Sequence, residues 1–153
     1  AAGNVTMSGN ISAGNLAVTQ NASFGNLVVS GNVTGNLVAT FKASKEYLVQ
    51  TTASGATTVN LSNSNWFRYN LQATSTFTFS NAPPAGTAMT VTLILVQGSG
   101  GGKAVNWGNT IYWAGGQIPP ATTSAAGRTD IWTFTTIDGG ATFFGTLSIK
   151  DAR

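Results

Sequence analysis

The chain has 153 residues, seven basic and four acidic, with no cysteine and no histidine; 7% of residues are charged and 42% hydrophobic. An average soluble domain carries about 25% charged residues, so the polarity of this surface comes from Thr, Ser and Asn. Without Cys or His there is no disulfide framework, no thiolate metal site and no Ser-His-Asp or Cys-His nucleophile.

Neither metal nor cofactor is therefore expected. The positives Lys42, Lys45, Arg68, Lys103, Arg128, Lys150 and Arg153 are scattered, which gives no basic footprint for a nucleic acid. No apolar run approaches the roughly 18 residues of a membrane span, so no membrane insertion is expected. The many β-branched and aromatic residues speak against disorder.

In chain order, the first forty residues are a repeat. Aligned on glycine, GNVTMSGNISA (3–13), GNLAVTQNASF (14–24) and GNLVVSGNVTG (25–35) give a period of eleven. Apolar residues stack in columns: Val5, Leu16 and Leu27; Met7, Val18 and Val29; Ile11, Ala22 and Val33. An eleven-residue period also suits a right-handed helical coiled coil, but Gly, Asn, Thr, Ser and Val are poor helix formers. Short strands and Gly-Asn turns fit better.

One such row cannot bury its apolar side chains alone. Either rows stack in one chain as a solenoid, or identical chains wind together. Three and a half thin rows make a poor solenoid, so residues 1–40 read as an intertwined β stem of a parallel homotrimer. Its core would be Val5, Met7, Ile11, Leu16, Val18, Leu27, Val29 and Val33. The chain opens on AAGNVT, inside a repeat and without Met; this reads as a fragment or processed chain whose missing upstream part joins other proteins. Asn-x-Ser/Thr triplets at Asn4, Asn10, Asn21, Asn32 and Asn60 are glycosylation motifs in form. A repeat written in Gly, Asn and Thr produces them by itself.

Lys42, Lys45 and Glu46 mark a junction, residues 41–50, and residues 51–153 read as a separate β knob. Strands are predicted at 57–62, 67–71, 75–80, 88–96, 104–107, 110–113, 130–137 and 142–149. Alternation puts Phe77 with Phe79, Met89 with Val91, Leu93 and Leu95, and Phe143 with Leu147 and Ile149. The Asp-Gly in IDGGATFF predicts a hairpin. Eight short strands between turns predict an all-β, jelly-roll-like β-sandwich. GSGGGK (98–103) fails the phosphate-loop pattern, with Gln97 before it and Ala104 after it, and reads as a flexible hairpin loop.

The stretch PPAGTAMTVTLILVQGSGGGKAVNWGNTIYWAGGQIPPATTSAAGRTDIWTFTTIDGGATFFGTL, residues 83–147, resembles the C-terminal module of bacteriophage tail-fibre and other virion-fibre proteins. The shared features are PPAG before a long apolar strand, VNWG…IYWAGG…PP, and TDIWTFTTIDGG closing into an aromatic strand. Gly-Asn repeats ahead of a C-terminal knob are similar to trimeric phage fibres. The resemblance implies a homotrimeric external appendage of a virion, on tail, neck or capsid, with a host-surface glycan or protein as its partner.

Trp66, Trp107, Tyr112, Trp113 and Trp132 are of the type that stacks on sugar rings, though each is more simply a core or subunit-interface residue; with the anion-attracting cations, the receptor candidates are Trp66, Arg68, Lys103 and Trp113. Trp66 is out of phase with Phe67, Tyr69 and Leu71, and so is expected on the surface. A glycosidase needs two carboxylates at about 5–9.5 Å, and Glu46, Asp130, Asp138 and Asp151 do not suggest such a pair. The expected protein is a non-enzymatic attachment fibre. Its alternatives are a bacterial trimeric surface adhesin and a glycan depolymerase.

Overall fold

The structure, a computed structural model, describes residues 44–116 and 118–153. They belong to the second of two compact units, Ala1–Phe41 and Lys42–Arg153. The stem of residues 1–40, with Val5, Met7, Ile11, Leu16, Val18, Leu27, Val29 and Val33, lies outside the described residues.

Seven strands form, in chain order β1 (Leu48–Asn60), β2 (Trp66–Ser80), β3 (Met89–Gln97), β4 (Val105–Trp107), β5 (Thr110–Trp113), β6 (Thr129–Thr136) and β7 (Thr142–Ala152). β1 starts inside the stretch read as a junction. The all-β expectation holds, but all seven strands join one mixed sheet of order β1-β2-β3-β6-β7-β5, with β4 on β2, rather than two antiparallel sheets. The segments 67–71 and 75–80 are one strand, β2.

The pairing explains the difference. β1 runs parallel to β2, Leu48 beside Trp66 and Asn60 beside Ser80, although only residues 61–65 join them. A straight strand of the length of β1 would run about 43 Å, and that connection reaches only about 20 Å. The strand therefore curls until its ends meet. Ser64 Oγ donates to the carbonyl of Tyr47, and Leu61 N donates to Ser80 O at 2.9 Å. Each of β1 and β2 is thus one coil of a solenoid, stacked on the next.

The bend is visible in the register. Ala53 faces Leu71 and Gly55 faces Ser75, so β2 carries Gln72, Ala73 and Thr74 where β1 has only Ser54. Gly55 takes φ 66°, a left-handed conformation that glycine reaches without a steric penalty. Inside the bend sits Ser75, fully buried, its Oγ donating to Ala73 O at 2.9 Å.

The third coil is made of two strands. β3 lies parallel on the first half of β2, Trp66 beside Thr92; β4 lies parallel on the second half, Phe77 beside Trp107. The glycine loop between them is therefore no hairpin turn. It is tightly packed: a Cβ on Gly101 (φ 60°) would stand 2.2 Å from Ser124 O. Gln97 spans the loop, its side-chain amide donating to Lys103 O (2.8 Å) and accepting from Lys103 N (3.0 Å).

The hairpin expected at the Asp-Gly turn forms and closes the stack. β6 pairs antiparallel with β3, and β7 pairs antiparallel with β6 and parallel with β5. Beneath it lies an aromatic core. Trp132, fully buried, has the rings of Trp107 at 5.2 Å, Trp113 at 5.5 Å and Phe134 at 6.5 Å. Phe79 adds contacts to Phe134 (4.9 Å) and Phe143 (4.7 Å). Apolar burial of this kind is the main favourable term in folding.

At the hairpin turn Asp138 Oδ2 accepts from Thr142 Oγ1 at 2.5 Å, and Oδ1 accepts from Thr142 N and Thr136 Oγ1, each at 3.0 Å. The Thr142 hydroxyl, then the Thr142 amide, hold the carboxyl below the ordinary aspartate value. The stabilisation this gives is complete above the ordinary value and is lost as pH falls through the lowered one. Asp138→Asn is therefore expected to weaken the protein at neutral pH and to flatten its loss of stability below about pH 4. Urea melts at stepped pH check this; parallel pH profiles of parent and variant would remove Asp138 from the hairpin's stability.

Candidate functional site

Because side chains alternate across a strand, the register of the sheet writes its outer face row by row. One row reads Leu48, Trp66, Thr92, Thr133 and Thr146 across β1, β2, β3, β6 and β7. The next reads Gln50, Arg68, Ile94, Ile131 and Ile149. Three isoleucines from three strands are thus direct cross-strand neighbours, facing away from the core. Val96 adds to them in the following row, beside Thr129.

Ile149 reaches this face through an irregularity. Trp132 pairs with Leu147 but Ile131 pairs with Ile149, so the register slips by one residue. Leu147 packs against the core, while Ile149 turns outward and is 49% exposed. The expectation that Phe143, Leu147 and Ile149 share one face is corrected here: a bulge reverses the alternation after Leu147.

Trp66 stands at the edge of the isoleucine row, 40% exposed. With Leu48, Ile94, Ser44 and Glu46 it lines a cavity of about 400 Å³. Its backbone is fixed from below, Trp66 N donating to Ser64 Oγ at 2.9 Å. Arg68, half-buried, sits between Gln50 and Ile94 and makes no ion pair among the described residues. Trp66 and Arg68 therefore share one largely apolar patch, with the Arg68 guanidinium on it and the Glu46 carboxylate on the cavity beside Trp66.

The other two receptor candidates are elsewhere. Lys103 Nζ donates to Gly101 O (2.7 Å) and Ser99 O (3.1 Å), so its ammonium holds the glycine loop together. Trp113 is 8% exposed and belongs to the core, with Trp107 at 5.7 Å and Phe134 at 5.9 Å. No broad face of that indole is left for a sugar ring. Compared with families of known proteins, with curated proteins and with solved structures, the chain matches none.

Three of the four carboxylates have structural tasks, while Glu46 is exposed and lines the cavity beside Trp66. Asp130, 3% exposed, accepts from Thr123 N (2.6 Å), Thr123 Oγ1 (2.7 Å) and Asp151 N (3.0 Å), tying the loop before β6 to the end of β7. Asp151 pairs with Arg128 at 3.4 Å, and Asp138 holds its turn. No group of three metal-ligating side chains gathers among the described residues. At the turn after β1, Asn60 Oδ1 accepts from Ser62 N and Asn81 Nδ2, a structural use for that triplet's asparagine.

The isoleucine row had a trace in the sequence. LILV (93–96) is apolar on both phases, the mark of a strand covered on two sides. The partners Ile131 and Ile149 had none, because their meeting depends on the register slip.

Proposed function

We propose that this chain is the knob and stem of a non-enzymatic bacteriophage virion fibre that assembles as a homotrimer, its copies meeting at an apolar face, and so carries three copies of a surface-binding site placed elsewhere on the knob. The observation that carries the reading is the outward row Ile94, Ile131 and Ile149, bordered by Val96, Trp66 and Leu48. A contiguous apolar patch on the outer face of a sheet marks an interaction surface. The groove beside Trp66 includes Ser44, only a few residues after the repeat ends. In a homotrimer, three copies of this row can cover one another. Three copies of a weak site then gain by avidity. The roles of Asp130, Asp138 and Asp151 in holding the fold support a binding rather than a hydrolytic protein.

Sedimentation of the full chain is expected to give three times its monomer mass; a monomer at every concentration would overturn the assembly. Immunogold labelling should decorate appendages of a phage particle. Label confined to a bacterial envelope would replace the phage reading with the adhesin.

A further inference from the structure

On the same outer face, two rows from the isoleucines, a second group of residues carries its own chemistry. Tyr112 on β5 pairs directly with Phe144 on β7, which pairs with Thr135 on β6, which pairs with Thr90 on β3. The two rings lie 5.8 Å apart at 44°. A cross-strand aromatic pair stabilises a sheet, but these rings are 56% and 50% exposed. They flank a groove of about 430 Å³ lined also by Trp113, Ala114, Thr133, Thr135, Gly145 and Thr146, within the size range of small-molecule sites, about 300–1,000 Å³; Trp113 contributes to its wall although it is only 8% exposed.

The lining is neutral: no Asp, Glu, Lys or Arg contributes to it. Its polar groups are hydroxyls with capacity to spare. Thr133 Oγ1 meets Ser148 Oγ at 2.8 Å and Thr135 Oγ1 meets Thr90 Oγ1 at 3.1 Å, and a hydroxyl offers one donor and two acceptor positions. Exposed ring faces next to a floor of neutral hydroxyls match a molecule with apolar C–H faces and hydroxyl edges. A charged ligand would find no counter-charge, and a purely apolar one would strand the threonines.

We propose that the Tyr112–Phe144 groove binds a neutral saccharide, one sugar ring stacking on the aromatic pair while its hydroxyls bond to Thr133, Thr135 and Thr146. The site goes beyond the assembly reading, since it uses none of the isoleucine row. It rests on the attachment reading only for its biological purpose.

The test is saturation-transfer NMR and titration calorimetry on the full chain, with neutral glucans, mannans and galactans as probes beside polygalacturonate and hyaluronan. Binding is expected to a neutral probe, weakened at least about tenfold in Tyr112→Ala and in Phe144→Ala and kept in Tyr112→Phe. Melting curves confirm that each variant is folded, and Thr133→Val, which keeps the shape, is expected to weaken binding if an alanine variant unfolds. Failure of every neutral probe, preference for the acidic ones, or unchanged binding in the alanine or valine variants would each overturn the proposal. Sedimentation of the same samples separates the two readings: a trimer without saccharide binding sinks only this site, and a binding monomer sinks only the assembly.

Discussion

Trp132→Ala is expected to remove about 3–5 kcal/mol of stability, the usual cost of truncating a buried aromatic. A domain of this kind has only about 5–15 kcal/mol in total, so the variant should be partly unfolded or close to it at room temperature. Trp132 is the largest fully buried side chain and touches three other aromatic rings. It also lies where the closing hairpin meets the third coil, so the cavity would open between the last two layers of the stack. The indole Nε1 has no hydrogen-bond partner there. A buried donor left unpaired costs about 1–3 kcal/mol, which predicts an asymmetry: Trp132→Phe loses volume but sheds that donor, and should cost well under half as much as alanine. Urea melts followed by fluorescence of the other tryptophans decide it. Equal losses for Phe and Ala would show that the indole nitrogen carries no penalty, and a loss under about 1 kcal/mol for Ala would show that this cluster is not the core.

The second large effect is on assembly. Ile131→Asp puts a carboxylate at the centre of the isoleucine row, between Ile94 and Ile149. Burying an unpaired charge costs on the order of 3 kcal/mol or more, more than a hundredfold in dissociation at each contact, and symmetry repeats the change in every copy. Ile131 is only half-buried in the single chain, so the knob itself should stay folded. The expected result is therefore a chain with near-parental tryptophan fluorescence and a monomer's sedimentation. A variant that remains fully trimeric would exclude this face from the assembly, leaving the repeat alone to account for it.

Much of the inward face was legible as period-two alternation. Phe77 and Phe79 on β2, and Val91, Leu93 and Leu95 on β3, are all buried as their phase requires. Trp66, out of that phase, is on the surface. What alternation cannot carry is the direction of the neighbouring strand. Parallel and antiparallel strands alternate alike, and a short connection ordinarily means a hairpin. Here β1 and β2 are long enough to curl and serve as their own crossover, so residues 61–65 join parallel neighbours. The only local hint was Gly55 amid β-forming residues. Of the receptor candidates, Trp66 and Arg68 fall together on the outer face, whereas Trp113 faces the core across from Gly145. Tyr112 and Phe144 meet through a pairing of strands about thirty positions apart in sequence, invisible to a short window.

The coil-on-coil stacking makes length adjustable in this molecule. Leu48 sits over Trp66 and Asn60 over Ser80, so one full layer is worth 18 to 20 positions of chain. Among the described residues β1 has a partner on one side only, and its other edge presents the backbone groups on which another layer can be laid. Layers of a stack interact with their immediate neighbours alone. Duplicating such a segment ahead of Leu48 would extend the stack of coils while every pairing around the aromatic core stayed as it is. Gene duplication could then add layers to this stack while the aromatic core and the Tyr112–Phe144 pair stay as they are.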